Sequence, residues 1–138
     1  MEKYKKGVAF GTWDCLHFGH IDFLEEAKNM CEELTVAVDT DKYAFEKKNK
    51  ETYNDFWKRS RHLTSLGQVD KISIQHKDFQ KRDYINKFKP NVIFVGTDHR
   101  NNGWEGEKIA GEFGIDVVFI DEAVIHSADI RKIIKEKE

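Results

Sequence analysis

Short apolar runs alternate along this chain with stretches whose apolar residues recur every three or four positions. Strands that alternate with helices in this way are typical of βα units, which build a parallel sheet covered by helices on both faces. The predicted strands are Val8–Thr12, Leu34–Val38, Lys71–Gln75, Val92–Val95 and Val117–Ile120. The sequence therefore predicts a three-layer α/β/α fold around a five-stranded parallel sheet, with no repeat or linker that would divide residues 1–138 into two domains.

Five helical stretches are predicted from the spacing of their apolar residues. The first stripe runs from His20 to Leu34, and the last, Ile130 to Ile134, predicts a C-terminal helix. The other three stripes are Phe56–Leu66, Tyr84–Phe88 ending before Pro90, and Trp104–Phe113 ending near Gly114. The polar stretch Asp39–Asp55 shows no convincing period, so we expect it to be a functional loop.

The composition excludes several classes of function. The chain has a formal net charge of −2 at pH 7, whereas nucleic-acid binders usually carry a basic excess. Its two cysteines, Cys15 and Cys31, show neither metal-site nor disulfide spacing, so we expect reduced thiols. No apolar run approaches the roughly 20 residues of a membrane span, and the first residues lack the apolar core of a signal peptide. We therefore expect a cytoplasmic protein that binds neither nucleic acid nor a membrane.

The run Gly11–His20 stands between the first predicted strand and the first predicted helix and combines two glycines, a hydroxyl, a carboxylate and two histidines. A strand that breaks at glycine and restarts as a helix exposes backbone N–H groups at which an anion can bind. The imidazoles of His17 and His20 at the same point indicate a polyphosphate that undergoes chemistry. One alternative is a zinc site, for which only Cys15 lies near as a further ligand. Another is that His20, which falls on the apolar stripe, is a core residue.

The motifs Gly11–Asp14 and His17–His20 together resemble the GTFDxxHxGH signature of the cytidylyltransferase-like nucleotidyltransferases. Length and motif order are most similar to those of the small glycerol-3-phosphate cytidylyltransferases. The resemblance implies a Rossmann-like fold. It also implies transfer of a nucleotidyl group from a triphosphate to a substrate phosphate, with release of pyrophosphate.

The resemblance assigns roles to residues of this run. His17 and His20 are expected to be catalytic: they bind the triphosphate and stabilise a transition state in which catalysis is mostly positioning and charge stabilisation. Asp14 is expected to orient the acceptor substrate or a metal. The nucleotide-binding residues implied here are Gly11, Thr12, Trp13, His17 and His20.

The polar stretch after the second strand carries residues that match further family positions. Lys48 and Lys50 correspond to paired lysines of a loop that closes over the triphosphate, so Lys48 is expected to be catalytic and Lys50 to contact the acceptor. A solvated run of charges is the alternative. Asp41, at the carboxyl edge of the second strand, is expected to contact the acceptor, since ligands bind at this edge in open α/β sheets.

Two further positions complete the expected acceptor site. Arg59 matches an arginine at the start of a family helix and offers forked donors to an acceptor phosphate. A surface arginine is the alternative, and Arg61 is the competing position. Gly96 ends the fourth strand and would let a base or ribose approach closely, while Asp98 is expected to bind the acceptor.

Ser127 occupies the place of the family's ISTTxI element, a helix start that holds the nucleotide phosphates. Arg131 fits the ISSTxxR form of related adenylyltransferases almost as well. The arginine that precedes this element in the cytidylyltransferases is replaced here by the run Asp121–Val124. Both Ser127 and Arg131 are expected to bind the nucleotide, with CTP as the first donor and ATP as the second.

The complete pattern predicts a nucleotidyltransferase that joins CTP to glycerol 3-phosphate and yields CDP-glycerol for a surface polymer. Mg2+ is the expected cofactor, held mainly by the triphosphate and not by a predicted protein ligand, and the resemblance implies a homodimer. Other acceptors stay open, namely phosphoethanolamine, phosphocholine, a heptose phosphate or FMN. A different class, a non-catalytic nucleotide-binding module on the same fold, also stays open.

Overall fold

A computed structural model of the chain describes residues 3–75, 81–97 and 105–121. Its strands pair in parallel in the order β3-β2-β1-β4-β5. They are Tyr4–Gly11 (β1), Cys31–Asp39 (β2), Lys71–Gln75 (β3), Val92–Gly96 (β4) and Asp116–Ile120 (β5). The expected Rossmann-like α/β fold with a five-stranded parallel sheet is confirmed.

Five helices connect or flank these strands in the part of the chain that the structure describes. They are Phe18–Asn29 (α1), Asp41–Lys48 (α2), Phe56–Thr64 (α3), Lys81–Phe88 (α4) and Glu105–Phe113 (α5). One core cluster joins α1 and α3 to one face of the sheet, and a second cluster joins α4 and α5 to the other. The two clusters make the sheet the middle layer of three.

Neighbouring strand residues contribute to opposite clusters, as the two-residue period of a strand requires. Val8 and Ile93 belong to the cluster with α4 and α5, whereas Ala9 and Phe94 belong to the cluster with α1 and α3. Because both faces are covered, all of β4 is buried. This explains why the predicted strand Val92–Val95 is apolar throughout instead of alternating.

The strand order creates a crevice at one end of the sheet. From β1 the chain proceeds outward to β2 and β3, and it then returns to the other side of β1 to form β4 and β5. Ligands bind in open α/β sheets outside the carboxyl ends of the strands, at the point where the order reverses. In this fold that point lies between the ends of β1 and β4.

Two predictions for local structure are wrong. The stretch expected to be a functional loop contains α2, which Thr40 caps by accepting a hydrogen bond from the Tyr43 N–H at 3.2 Å. The first helix ends at Asn29. Cys31 and Leu34 continue its apolar stripe in the sequence, but they lie in β2, which pairs with β1 from Tyr4 onward.

The predicted C-terminal helix lies outside the described residues. Within the described ranges, no helix is long and apolar enough to cross a membrane.

Candidate active site

The turn between β1 and α1 is held in an unusual backbone conformation. Trp13 and Cys15 have φ of 60° and 50°, a left-handed region that residues with a Cβ seldom adopt. The Trp13 indole is buried and its Nε1–H donates to the carbonyl oxygen of Ala37 at 3.3 Å. A Cβ on Gly11 would lie 2.9 Å from the Trp13 ring, so this packing requires glycine there. The turn is thus fixed by its own tryptophan.

The two histidines form a reciprocal cap at the start of α1. His17 Nδ1 accepts from the Gly19 N–H at 3.0 Å, and His20 Nδ1 accepts from the His17 N–H at 3.2 Å. Their ring centroids are 4.1 Å apart. Since each Nδ1 accepts a hydrogen bond, a neutral ring carries its hydrogen on Nε2, and this is the atom that can donate to an anion. The helix start therefore fixes the tautomer of both rings.

His20 is held in its neutral form. Burial lowers its pKa from 6.5 to about 4, with smaller contributions from the electrostatic interactions with His17 and Lys48. At pH 7 the ring is thus a hydrogen-bond donor without a formal charge. His20 also packs beside Trp13, with ring centroids 5.7 Å apart. His20 is partly buried and also lines a cleft. It therefore lies on the apolar face of α1 and in the candidate site.

A cleft of about 360 Å3 opens at the carboxyl ends of β1 and β4, where the strand order reverses. Its wall carries the ammonium-bearing residues Lys47, Lys48 and Lys81. The sequence-predicted site residues that line it are Gly11, Thr12, Trp13, Asp14, His20, Lys48 and Gly96. A neutral histidine from the first turn of α1 and three cationic side chains make this cleft suitable for a polyphosphate.

Asp39, which the sequence reasoning did not single out, is buried at the end of β2 next to this cleft. Its Oδ2 accepts from the Thr12 hydroxyl at 2.9 Å and lies 2.6 Å from Lys47 Nζ. The side chain of Asp39 is 1% exposed and that of Lys47 is 37% exposed. The signal that could have found Asp39 is a carboxylate that directly follows the buried apolar run Val36–Val38 at the end of β2.

Asp14 fastens the segment between α2 and α3 to the turn. Its carboxylate accepts from the backbone N–H groups of Tyr53 at 2.7 Å and Asn54 at 3.0 Å. Burial alone would raise the pKa of Asp14, but these two donors outweigh it and hold the pKa below its usual value. Contact of Asp14 with an acceptor stays a prediction.

The sequence predicts that the guanidinium of Arg59 offers its donors to an acceptor phosphate, but in the structure Arg59 is completely buried on α3. Its guanidinium donates to the Thr12 carbonyl at 2.6 Å, the Asn54 carbonyl at 3.0 Å and Asp41 Oδ1 at 2.7 Å. These oxygens belong to three separate segments, so Arg59 braces the wall of the site from behind. Its direct contact with an acceptor phosphate stays a prediction, and the competing Arg61 is exposed on α3.

The remaining predicted residues are placed unevenly. Asp41 is the first residue of α2, with a side chain that is 53% exposed beside Arg59. Lys50 is exposed just after α2 and is not among the residues that line the cleft. His17 is also exposed and outside that lining, although its ring centroid is 4.1 Å from that of His20. Asp98, Ser127 and Arg131 lie outside the described residues.

A second cavity of about 590 Å3 lies beside α2 and the segment that follows it. Asp41 lines this cavity together with the aromatic rings of Phe45 and Tyr53, which are 45% and 90% exposed. Lys48 follows Phe45 by three residues on the helix and is therefore its neighbour on the surface. The second cavity thus adjoins the cleft across α2.

Protein ligands for a metal ion are not clustered in residues 3–75, 81–97 and 105–121. No group of three or more histidine, cysteine, aspartate or glutamate side chains there is arranged to hold a cation. Two carboxylates near the cleft have other partners: Asp39 is paired with Lys47, and Asp14 binds backbone N–H groups. This donor set suits a divalent cation that arrives coordinated by phosphate oxygens better than one caged by the protein.

Fold and cleft together define a Rossmann-like α/β domain with a lysine-lined cleft at the switch point of its sheet. The chain belongs to the cytidylyltransferase-like family, whose model matches residues 8–136. It is accordingly an enzyme of the nucleotidyltransferase type, as the resemblance implies.

The relatives of this chain include proteins of two activities. The chain is 37% identical over 103 residues to a glycerol-3-phosphate cytidylyltransferase of Staphylococcus aureus, an alignment that covers 75% of this chain and 74% of the relative. It is 32% identical over 132 residues to an FAD synthase of Picrophilus torridus, covering 92% of this chain and 94% of the relative. Among solved structures, a lipopolysaccharide core biosynthesis protein from Thermoplasma volcanium superimposes with a TM-score of 0.74 at 25% identity, covering 86% of this chain and 98% of that one.

Proposed function

We propose that this chain transfers a nucleotidyl group from a nucleoside triphosphate to the phosphate of a small alcohol, with CTP and glycerol 3-phosphate as the first pair to test. An oxygen of the acceptor phosphate attacks the α-phosphorus, and the bond from that phosphorus to the bridging oxygen breaks. Pyrophosphate leaves with the electron pair, so no side chain has to act as a nucleophile. The observation that carries the proposal is the cleft in which His20, Lys47 and Lys48 face the turn after β1.

The side chains of this cleft would bind and stabilise charge. His17 and His20 donate from Nε2 to oxygens of the triphosphate, and the N-terminus of α1 adds a favourable dipole worth about 0.3–1 kcal/mol or more in a dry site. Lys48 adds a positive charge where the leaving pyrophosphate becomes more negative. Asp41 and Asp14 would bind the acceptor, and Gly96 would leave room for the base or ribose.

Mg2+ fits this site as a companion of the triphosphate. It would shield the negative charge of the phosphate oxygens, and the carboxylates near the cleft would contribute little to its binding because they are engaged within the protein. Ser127 and Arg131 would hold the nucleotide phosphates, and Asp98 and Lys50 the acceptor. A homodimer that makes CDP-glycerol in the cytoplasm completes the proposal.

A second candidate is adenylyl transfer from ATP to FMN. The cavity beside α2 favours it, because the exposed rings of Phe45 and Tyr53 would stack on a planar acceptor ring next to Asp41. Two FAD synthase relatives, whose alignments cover 92% and 96% of this chain, support the same candidate. Glycerol 3-phosphate has no ring and would gain nothing from these side chains.

Pyrophosphate release measured for each pairing of CTP, ATP, UTP and GTP with glycerol 3-phosphate and FMN separates the two candidates. Release with CTP and glycerol 3-phosphate supports the first. Release with ATP and FMN, weakened by Tyr53→Ala through a higher KM for FMN, supports the second and overturns the first. His17→Ala should reduce the rate of the active pairing at least about 100-fold, as loss of a transition-state donor does.

The matched control for His17→Ala is His62→Ala, which removes a histidine of α3 that is not part of the histidine pair at the start of α1. It should leave pyrophosphate release unchanged. Binding of a triphosphate without release from any pairing, acceptors other than these two included, would instead identify a non-catalytic nucleotide-binding module.

A further inference from the structure

The strongest feature that the proposed function does not use is the ion pair between Asp39 and Lys47. A carboxylate buried at the edge of a polyphosphate site is unfavourable in two ways: it loses its hydration, and it repels the phosphate chain. Asp39 is 1% exposed and lies against the turn through its hydrogen bond from Thr12. Such a group is compatible with the site only if a nearby cation compensates its charge.

Lys47 provides that charge and is held in place by two contacts. Its Nζ lies 2.6 Å from Asp39 Oδ2 and 4.8 Å from the centre of the Tyr43 ring, one helical turn earlier on α2. The ammonium group lines the cleft. It has three N–H donors, so those that do not point to Asp39 can donate to phosphate oxygens. Lys48 also lines the cleft, but no ion pair fixes it in the described part of the chain.

We infer that Asp39 is a positioning residue for nucleotidyl transfer: it fixes the Lys47 ammonium at the cleft wall, where Lys47 binds the triphosphate beside Lys48. This inference rests on the proposed function. The same Asp39 oxygen also accepts from Thr12, so a single carboxylate sets the distance between the turn after β1 and the lysines of α2. Asp39 thereby couples the two sides of the phosphate site.

The inference predicts opposite effects of Asp39→Asn on binding and on turnover. The amide keeps an acceptor for the Thr12 hydroxyl but removes the negative charge. Inorganic tripolyphosphate should therefore bind equally well or more tightly, because the site becomes more positive. The kcat for pyrophosphate release should fall about 10- to 100-fold, since a mislocated charged group stabilises the transition state less. A purely structural role of Asp39 would not lower kcat while leaving binding intact.

Lys47 is tested in the Asp39→Asn background, because Lys47→Met alone leaves a buried carboxylate without its cation and can unfold the chain. Asp39→Asn with Lys47→Met should bind tripolyphosphate about 10-fold more weakly than Asp39→Asn alone, as expected for one charge-assisted contact. The control is Glu33→Gln with Lys71→Met, which removes an exposed ion pair between β2 and β3 at 3.3 Å, away from the cleft. This control should match the wild type in binding and in kcat.

The outcomes separate this inference from the proposed function. Wild-type protein that releases no pyrophosphate from any pairing overturns both. Wild-type turnover that Asp39→Asn leaves unchanged, or tripolyphosphate binding that does not depend on Lys47, overturns the inference alone. A lower kcat with intact binding in Asp39→Asn, together with weaker binding in the double variant, supports it. Thermal unfolding of each variant confirms that the kinetics were measured on folded protein.

Discussion

At the residue scale, the site depends on side chains whose protonation is set by their surroundings. The pKa of His20 falls from 6.5 to about 4, mainly because of burial and to a smaller extent because of electrostatic interactions with His17 and Lys48. The folded chain therefore takes up this proton at lower pH than the unfolded chain. The resulting contribution to stability is present above pH 6.5 and is lost as the pH falls toward 4.

His20→Gln tests this pH dependence, because glutamine does not titrate. Between about pH 7 and about pH 4.5, the Tm of the wild type should fall more than the Tm of His20→Gln. Only the wild type has a histidine at position 20, which is protonated more readily in the unfolded chain than in the folded chain. Calorimetry at the two pH values measures the difference, and His62→Gln serves as the control for removing a histidine elsewhere. A wild-type-to-variant difference in Tm that stays constant with pH would contradict the assignment.

The second prediction at the residue scale concerns Arg59, whose guanidinium donates hydrogen bonds to two backbone carbonyl oxygens and one carboxylate oxygen. Arg59→Met should lower the free energy of unfolding by about 2–4 kcal/mol, since it leaves the buried Thr12 carbonyl without its charged donor. Arg61→Met, which removes an exposed arginine of the same helix, should change it by less than about 0.5 kcal/mol. Urea unfolding followed by circular dichroism measures both. Equal effects of the two variants would refute the bracing role of Arg59.

At the scale of elements, α2 is a helix that the spacing of apolar residues does not predict. Ala44 is the single residue of α2 that is buried, so the helix has no apolar stripe to reveal it. Its ends define it instead: Thr40 caps the start, and Asn49 ends it with a φ of 55°. The lysines of the proposed phosphate site are thus carried by a helix that depends on its caps.

Thr40→Ala should therefore affect both stability and activity. Loss of the hydrogen bond to the Tyr43 N–H should cost about 1 kcal/mol in the free energy of unfolding. It should also lower kcat several-fold, because Lys47 and Lys48 lie at the other end of this short helix. Thr64→Ala is the matched control, since the Thr64 hydroxyl donates to a carbonyl at the exposed end of α3. If Thr40→Ala has no larger effect than Thr64→Ala, the caps do not maintain the site.

At the scale of the whole molecule, the fold follows from the sequence because both faces of the sheet are buried. Strands such as Val92–Gly96 have to be apolar throughout, and the helices between them keep a period that the sequence displays. The Asp39–Lys47 pair and the three partners of Arg59 could not be predicted in the same way. The pair requires α2 to fold back on the end of β2, and the partners of Arg59 come together only after β1, α2 and α3 have packed.

The position of the cleft predicts how a nucleotide changes the stability of the entire domain. Its walls come from the ends of β1 and β4 and from α2, so the cleft disappears when the sheet unfolds, and a triphosphate bound there stabilises the folded chain as one unit. At a concentration 100 times its Kd, the nucleotide that the enzyme uses should raise the free energy of unfolding by about 2.7 kcal/mol in the presence of Mg2+. The Tm should then rise by roughly 10 °C. A thermal-shift series with CTP, ATP, UTP, GTP and inorganic tripolyphosphate measures this, with buffer and Mg2+ alone as the reference. A larger shift with ATP than with CTP would favour the adenylyl reaction, and equal shifts with tripolyphosphate and every nucleotide would mean that the cleft binds phosphates without selecting a base.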